Sequence, residues 1–403
     1  MTTLAGTGRG RGSGLPGPPF YDADHEAFRD AVRRFVDVEV VPHLDRWEDA
    51  RHIDPGLWPR AAAQGLLGLP GPVEHGGGGT PDYRFRCVVM EELARAGAAS
   101  VHVALALLDD LVGPYLFELA TAEQAGRWLP GLLAGHATAA IAMTEPAAGS
   151  DLRAIRTTLR PGPDETLVLT GTKTFITNGA RADLVVVFTR DPAARPDGFS
   201  LVVVEDGMPG FTRGQPLDTL GQRAENVAEL FFDDVPVPAA NVLGAPGRGL
   251  VHLMERLPTE RMSIAWYALA AAEQALAWTV DHVRTRVAFG APLARLQNTR
   301  FVLADLATRL DVTRAYLERC VVALNGSGLG AVEAAKAKWW ATELLQDVVT
   351  RCLQLFGGYG YIRDYPIARL FLDARIQTIY GGTTEIMKEI IGRDLLGRPV
   401  TAP

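Results

Sequence analysis

Lysine is nearly missing from this chain: it stands only at 173, 336, 338 and 388, against 36 arginines. The imbalance reads as codon bias of a GC-rich genome rather than as function. Cysteine is equally scarce. Cys87, Cys320 and Cys352 are too few and too scattered for a disulfide framework or a Cys-rich zinc site, which points to a reducing compartment and a cytoplasmic location. Neither charge dominates, since 40 basic residues face 47 acidic ones for a net charge of −7. That balance excludes a nucleic-acid footprint and a polybasic membrane-binding surface. No run of 18 apolar residues occurs, so no membrane-spanning helix is expected. Residues 1–19 lack the apolar run of a signal peptide and the amphipathic face of a mitochondrial address, and read as a disordered tail, with a second short tail at 398–403. Gly12, Gly14 and Gly17 match a GxGxxG spacing, but no strand precedes them, no helix follows and Pro16 interrupts. They are not a dinucleotide loop.

The 403 residues suffice for two to three domains, and three zones are visible in the pattern. From 20 to 137 it is helical. Asp22 or Asp24 can cap a segment in which Phe28, Val32, Phe35 and Val36 mark one apolar stripe that Pro42 ends. Further helical segments run over 58–64, 83–95, 100–117 and 122–133, separated by breaks such as Gly76–Gly79. No Lys-Ser/Thr pair follows that glycine run, so it is a flexible loop and not a phosphate cradle. From 138 to 246 short β-type runs at 167–169, 184–189, 200–204 and 230–232 alternate with turn signals, predicting an antiparallel β-domain. From 247 to 397 helical periodicity returns over 264–286, 298–324 and 331–355, a four-helix-bundle-like domain. The fold class is α+β.

The stretch Met143-Thr144-Glu145-Pro146-Ala147-Ala148-Gly149-Ser150-Asp151 follows an apolar strand and combines hydroxyls with small residues, so main-chain N–H groups stay accessible to a ligand. Alone, it is also compatible with a polar turn. Five more motifs follow in order. They are Phe175-Ile176-Thr177-Asn178-Gly179; Gly221-Gln222-Arg223 with Leu230–Pro238; Arg286–Gly290 with Gln297; Gln354-Leu355-Phe356-Gly357-Gly358; and Tyr380-Gly381-Gly382-Thr383-Thr384-Glu385.

With these residues, 20–397 resembles the acyl-CoA dehydrogenase flavoproteins. The resemblance implies FAD as cofactor. Met143, Thr144, Gly149 and Ser150 would meet the flavin and its phosphate, Ser150 also facing substrate, while Phe175 and Thr177 cover the ring with Phe175 in place of the family's usual Trp. Arg286, Phe289, Gln297, Gln354, Gly357 and Gly358 look like contacts supplied across a subunit interface, which implies a homo-oligomer, expected to be a tetramer. Thr383 and Glu385 look like residues near the adenosine end.

The implied reaction converts a saturated acyl-CoA to its trans-2-enoyl thioester, with flavin N5 taking the β-hydride and an electron-transferring flavoprotein as partner. It needs a desolvated carboxylate near the α-carbon, because burial raises the carboxylate's pKa towards that of the activated substrate. Most family members carry this Glu where Gly381 stands here. The long-chain and isovaleryl branches place it on an earlier helix before an Arg, and Glu260-Arg261 fills that slot. Glu260 is therefore expected as the base, Gly381 as an N–H donor to the thioester carbonyl, and Arg261 and Tyr380 as substrate contacts. As a bare pattern, a Glu-Arg pair beside Pro258 is an exposed charge at a helix start.

Tyr380 argues against an isovaleryl-type branch, and residues 380–389 resemble the long-chain branch, which suggests a straight medium to long chain. Trp266 and Tyr267 read as core aromatics. Glu225, Asn226 and Val227 replace a common Ser-Asp-Thr, leaving coenzyme A and a carrier protein both open as the thioester's handle. Flavin-dependent monooxygenases on the same fold lack the carboxylate base and form the competing enzyme class.

Overall fold

The computed structural model describes residues 19–397. The tail expectations, apart from Pro19, and the three glycines at 12, 14 and 17 lie outside the described residues. Helix α1 (Ala23–Phe35) is capped by Asp22, whose carboxylate accepts the Asp24 and His25 N–H groups, and it buries Val32 and Phe35. Pro42 does not end the segment. The chain continues through a π turn (Val36–Val40) and a 3₁₀ turn (Val41–His43) into α2 (Leu44–Ala50), because proline in a first helical turn gives up no needed N–H.

Helices α3 (Leu57–Ala63), α4 (Arg84–Arg95), α5 (Ala99–Ala106), α6 (Gly113–Leu119) and α7 (Ala122–Leu133) complete the first zone. A π turn at Leu107–Val112 joins α5 to α6, just before Pro114, whose missing N–H a regular helix would need. Contrary to expectation, Ala99–Leu119 is long and apolar enough to cross a membrane by length and composition, but 78% of its most apolar window is buried inside the protein. Its carboxylates at Asp109 and Asp110 meet Arg86 at 3.2 and 2.7 Å. It is a core helix.

The β-domain holds β1 (Ala139–Ala142), β2 (Thr158–Pro161), β3 (Thr166–Ile176), β4 (Leu184–Arg190), β5 (Phe199–Glu205), β6 (Phe211–Arg213), β7 (Ala228–Pro238) and β8 (Val242–Leu243) in the order β6-β7-β3-β2-β4-β5-β8. The sheet is mixed rather than purely antiparallel, since β1 runs parallel to β4 with Ala139 opposite Leu184 and Ala142 opposite Val187. A parallel pair needs a long crossover, and the segment carrying β2 and β3 supplies it. Strands β4 and β5 are buried on both faces. Val186, Phe188, Leu201 and Val203 join the helical core, while Val185, Val187, Val202 and Val204 fill the β-domain's own core, the two-residue alternation expected of a strand.

Helix α8 (Gly249–Thr285) is the axis of the last zone, followed by the hairpin β9 (Val287–Ala288) and β10 (Ala291–Pro292), then α9 (Gln297–Asn325), α10 (Ala331–Phe356), α11 (Pro366–Ala374) and α12 (Thr384–Leu395). α8 begins fifteen residues before the predicted start. Pro258 reads as a boundary in sequence, yet it sits inside the helix and costs it only the rung to residue 254. From Glu260 to Ala272 every α8 residue is buried, as befits a helix packed on all sides. Trp266 stacks on Phe20 at 5.3 Å and Tyr267 on His102 at 3.9 Å, so both are core aromatics.

The β-domain docks on the C-terminal zone through a backbone contact at Gly221. A Cβ there would lie 2.5 Å from the Leu372 carbonyl carbon and 2.6 Å from the Asp373 nitrogen, and the next residue, Gln222, donates its N–H to Asp373 Oδ1 at 2.6 Å. Gly221→Ala is expected to lower stability by about 1–3 kcal/mol, the usual cost of overpacking a close contact. Chemical denaturation checks this; an unchanged midpoint shows that the two segments part freely.

Candidate active site

Glu260 lies in the middle of α8 and is only 7% exposed, so the reading of an exposed charge at a helix start is overturned. Burial pushes its carboxyl above the ordinary range, with Arg261 and then Lys338 pulling it back. The turn between Thr378 and α12 closes over it. A Cβ on Gly381 would lie 3.5 Å from Glu260 Oε1 and 2.4 Å from Ile264 Cδ1, one helical turn further along α8. The two alternative positions for the base thus face the same small volume. Gly381 and Gly382 have φ of 62° and 94°, left-handed values that side chains resist, and this lets the backbone pass close to α8.

Two buried cations hold that turn. Arg261 Nε donates to the Gly381 carbonyl at 3.3 Å, and Lys338 Nζ donates to the Gly382 carbonyl at 2.7 Å. Among the described residues neither the Gly381 nor the Gly382 N–H donates a hydrogen bond to the protein. Tyr380 precedes the turn; burial and the neighbouring Glu225 push its phenol up, with a Gln222 hydrogen bond opposing.

The Met143–Ser150 loop is fixed from below by Lys173, which is wholly buried and donates to the Met143 carbonyl and to Glu145 Oε1, both at 2.9 Å. Glu145 also accepts the Arg156 and Thr157 N–H groups at 2.6 and 2.9 Å. The Thr174 N–H reaches the Thr144 carbonyl at 2.9 Å, which brings the loop beside Phe175 and Thr177. Phe175 is 68% exposed with φ 57°, Thr177 is half-buried, and Gly149 and Ser150 face solvent.

The remaining expected cofactor residues form a separate group. Arg286 lies over the Tyr359 ring at 5.3 Å, Phe289 is 96% exposed at the tip of the β9–β10 hairpin, and Gln297, Gln354, Gly357 and Gly358 are exposed near the ends of α9 and α10. No hydrogen bond or ring contact joins this group to the β-domain loop among the described residues. Thr383 caps α12 by accepting the Ile386 N–H at 3.3 Å, and Glu385 is exposed in its first turn.

Glu225 departs from the family pattern and proves to be buried, with one carboxylate oxygen unpartnered. Burial first, then Glu48 and Asp373, push its pKa well above the ordinary range. Asp373 is likewise raised, to about 7, by burial and by Glu48. Sequence reasoning missed Lys338 altogether. Its signal was the scarcity of lysine itself, since two of the four, Lys173 and Lys338, are wholly buried on carbonyl oxygens.

Asp373 holds its proton in the folded state, so its contribution to stability is complete below its ordinary pKa of 3.8 and is lost as pH rises through about 7. Denaturation midpoints should therefore fall as pH rises from the carboxyl's ordinary 3.8 to about 7, and Asp373→Asn should fall less. Equal slopes for the two proteins show that Asp373 is ionised in the fold.

Descriptions of the acyl-CoA dehydrogenase N-terminal, middle and C-terminal domains match residues 22–136, 140–235 and 247–396. The mitochondrial long-chain specific acyl-CoA dehydrogenase of Rattus norvegicus is 42% identical over 380 residues, covering 93% of this chain and 87% of that protein. The crystal structure of an acyl-CoA dehydrogenase from Geobacillus kaustophilus superimposes with a TM-score of 0.90 at 40% identity, covering 93% of this chain and 98% of that one. A Mycobacterium smegmatis glutaryl-CoA dehydrogenase in complex with FADH2 does so with a TM-score of 0.88 at 27% identity, covering 95% and 96%. The chain belongs to the acyl-CoA dehydrogenase family of flavoprotein oxidoreductases.

Proposed function

We propose that this protein is an FAD-dependent acyl-CoA dehydrogenase that takes straight medium to long chains, with Glu260 removing the α-proton. The observation that carries this reading is the convergence of Glu260 Oε1 and the Gly381 position on one buried point, 3.5 Å apart. The residues present suit the cofactor. Gly149, Gly357 and Gly358 have open space where a Cβ would stand, and the exposed Phe175 ring and the Ser150 hydroxyl offer a face and a donor. Met143, Thr144 and Thr177 would line the ring side, with Thr383 and Glu385 towards the nucleotide. When bound, FAD supplies the acceptor for the hydride that leaves the β-carbon.

The chain's own residues do the rest. Glu260, desolvated among Ile264, Arg261 and the glycine turn, is a stronger base than a carboxylate in water and takes the α-proton onto a carboxylate oxygen. The free Gly381 N–H donates to the thioester carbonyl as it gains enolate character. Tyr380 stands beside the reacting carbons and limits branching there. The exposed group at Arg286, Phe289, Gln297, Gln354, Gly357 and Gly358 serves the cofactor of a neighbouring copy in a tetramer. Electrons leave to an electron-transferring flavoprotein. Glu260 also favours this reading over a monooxygenase, which uses no carboxylate base.

Anaerobic titration with acyl-CoAs of increasing length should bleach the flavin fastest for one length class, and Glu260→Gln should slow that step about 10²–10⁴-fold. Unchanged bleaching in Glu260→Gln overturns the base assignment, and bleaching by a carrier-bound thioester alone overturns coenzyme A as the handle.

Gly381→Glu should partly restore the Glu260→Gln enzyme. Its left-handed backbone costs a side chain about 1–2 kcal/mol, and its Cβ presses on Ile264 Cδ1, so adding Ile264→Val should improve the rescue. Single-turnover flavin reduction measures it; no gain in either combination shows that the two positions do not share the α-carbon.

A further inference from the structure

Lys338 stands on α10 with no exposed surface, and its ammonium makes one hydrogen bond, 2.7 Å to the Gly382 carbonyl. Taking a charged amine out of water is costly unless the charge is compensated, so its presence at the centre of the bundle calls for a reason. The groups facing it are Arg261 and Glu260 from α8, Glu343 from α10 itself and Glu385 from α12. Glu343 is already engaged by the Thr384 hydroxyl at 2.6 Å, and Glu385 is exposed. That leaves the Gly382 carbonyl dipole and the buried Glu260 as what the ammonium stabilises.

The backbone geometry adds a second effect. A trans peptide points its C=O and N–H in opposite directions. With the Gly381 carbonyl turned to Arg261, the Gly382 N–H faces the other way, and the Gly382 carbonyl is drawn to Lys338. Two consecutive left-handed glycines would otherwise be the most mobile residues of the turn. A chain that writes arginine 36 times and lysine four times keeps lysine here. A compact ammonium meets one carbonyl in a closed space, whereas a planar five-donor guanidinium needs more partners.

We propose that Lys338 is a positioning residue for the reaction: its ammonium anchors the Gly381–Gly382 turn and its charge keeps Glu260 ionisable. The inference rests on the reading of Glu260 as the base. Burial lowers Lys338 itself to about 8, Arg261 adding to the effect, so at neutral pH it is mostly charged and above about 8 it loses that charge.

The test is an infrared pH titration of the flavin-loaded protein, with the Glu260 carboxyl band identified by its loss in Glu260→Gln. Lys338→Met should raise the Glu260 midpoint by about one pH unit or more, the size of a nearby opposite charge. The acid limb of kcat should move with it while KM for acyl-CoA stays within about threefold. A folded Lys338→Met protein with an unmoved midpoint overturns the proposal, even if turnover is lower. Should Lys338→Met not fold, the wild-type titration decides: the Glu260 carboxylate band should shift again near pH 8 as Lys338 deprotonates, and a single-step titration overturns the proposal. Full flavin reduction by Glu260→Gln is a different failure, that of the base assignment.

Discussion

A carboxylate buried in the middle of a 37-residue helix is the constraint around which this molecule is arranged. Left alone, it would be protonated and inert as a base, because the interior disfavours its charge. Arg261 and Lys338 reduce that penalty without a direct ion pair to it; each spends its hydrogen bond on a carbonyl of the Gly381–Gly382 turn. On the proposed reading, this leaves the carboxylate oxygen free to accept a proton from a substrate. A direct salt bridge would have stabilised the charge more and weakened the base.

That arrangement depends on packing from three zones. α8 is enclosed by the N-terminal helices, by α9 and α10, and by the inner face of β4 and β5, and every one of its residues from Glu260 to Ala272 is buried. The β-domain is held against α11 by the Gly221 contact and the Gln222–Asp373 bond, which also sets where Tyr380 and Glu225 meet. Lys173 and Glu145 do for the Met143–Ser150 loop what Lys338 does for the glycine turn: a buried cation fixes a main-chain carbonyl and so fixes the backbone around it. The same device appears twice, with Lys173 on a strand and Lys338 on a helix.

Much of this was legible in the residues. The helical segments at 122–133 and 331–355, the strand runs inside β3, β4, β5 and β7, and the Asp22 cap follow local rules of period and capping that act within a few residues. Where those rules failed, tertiary packing had overridden them. Pro258 marks a boundary only if its helix could end there, and the packing that surrounds α8 carries the helix through it. The π turns at Val36–Val40 and Leu107–Val112 and the parallel β1–β4 pair depend on partners far away in the chain.

By itself the sequence determined the three-zone order, the scarcity of chemistry-bearing cysteine and, through its resemblance to the family, the expectation of Glu at 260 rather than 381, because each is a matter of which residue occupies which place. Only the tertiary structure decided that Glu260 is buried, that the 381 position meets it, that Glu225 is an interior carboxyl with one unpartnered oxygen, and that one of the four lysines, Lys338, is wholly buried on the glycine turn. Desolvation and electrostatic neighbourhood are properties of what surrounds a group in space, and no local pattern along the chain encodes them.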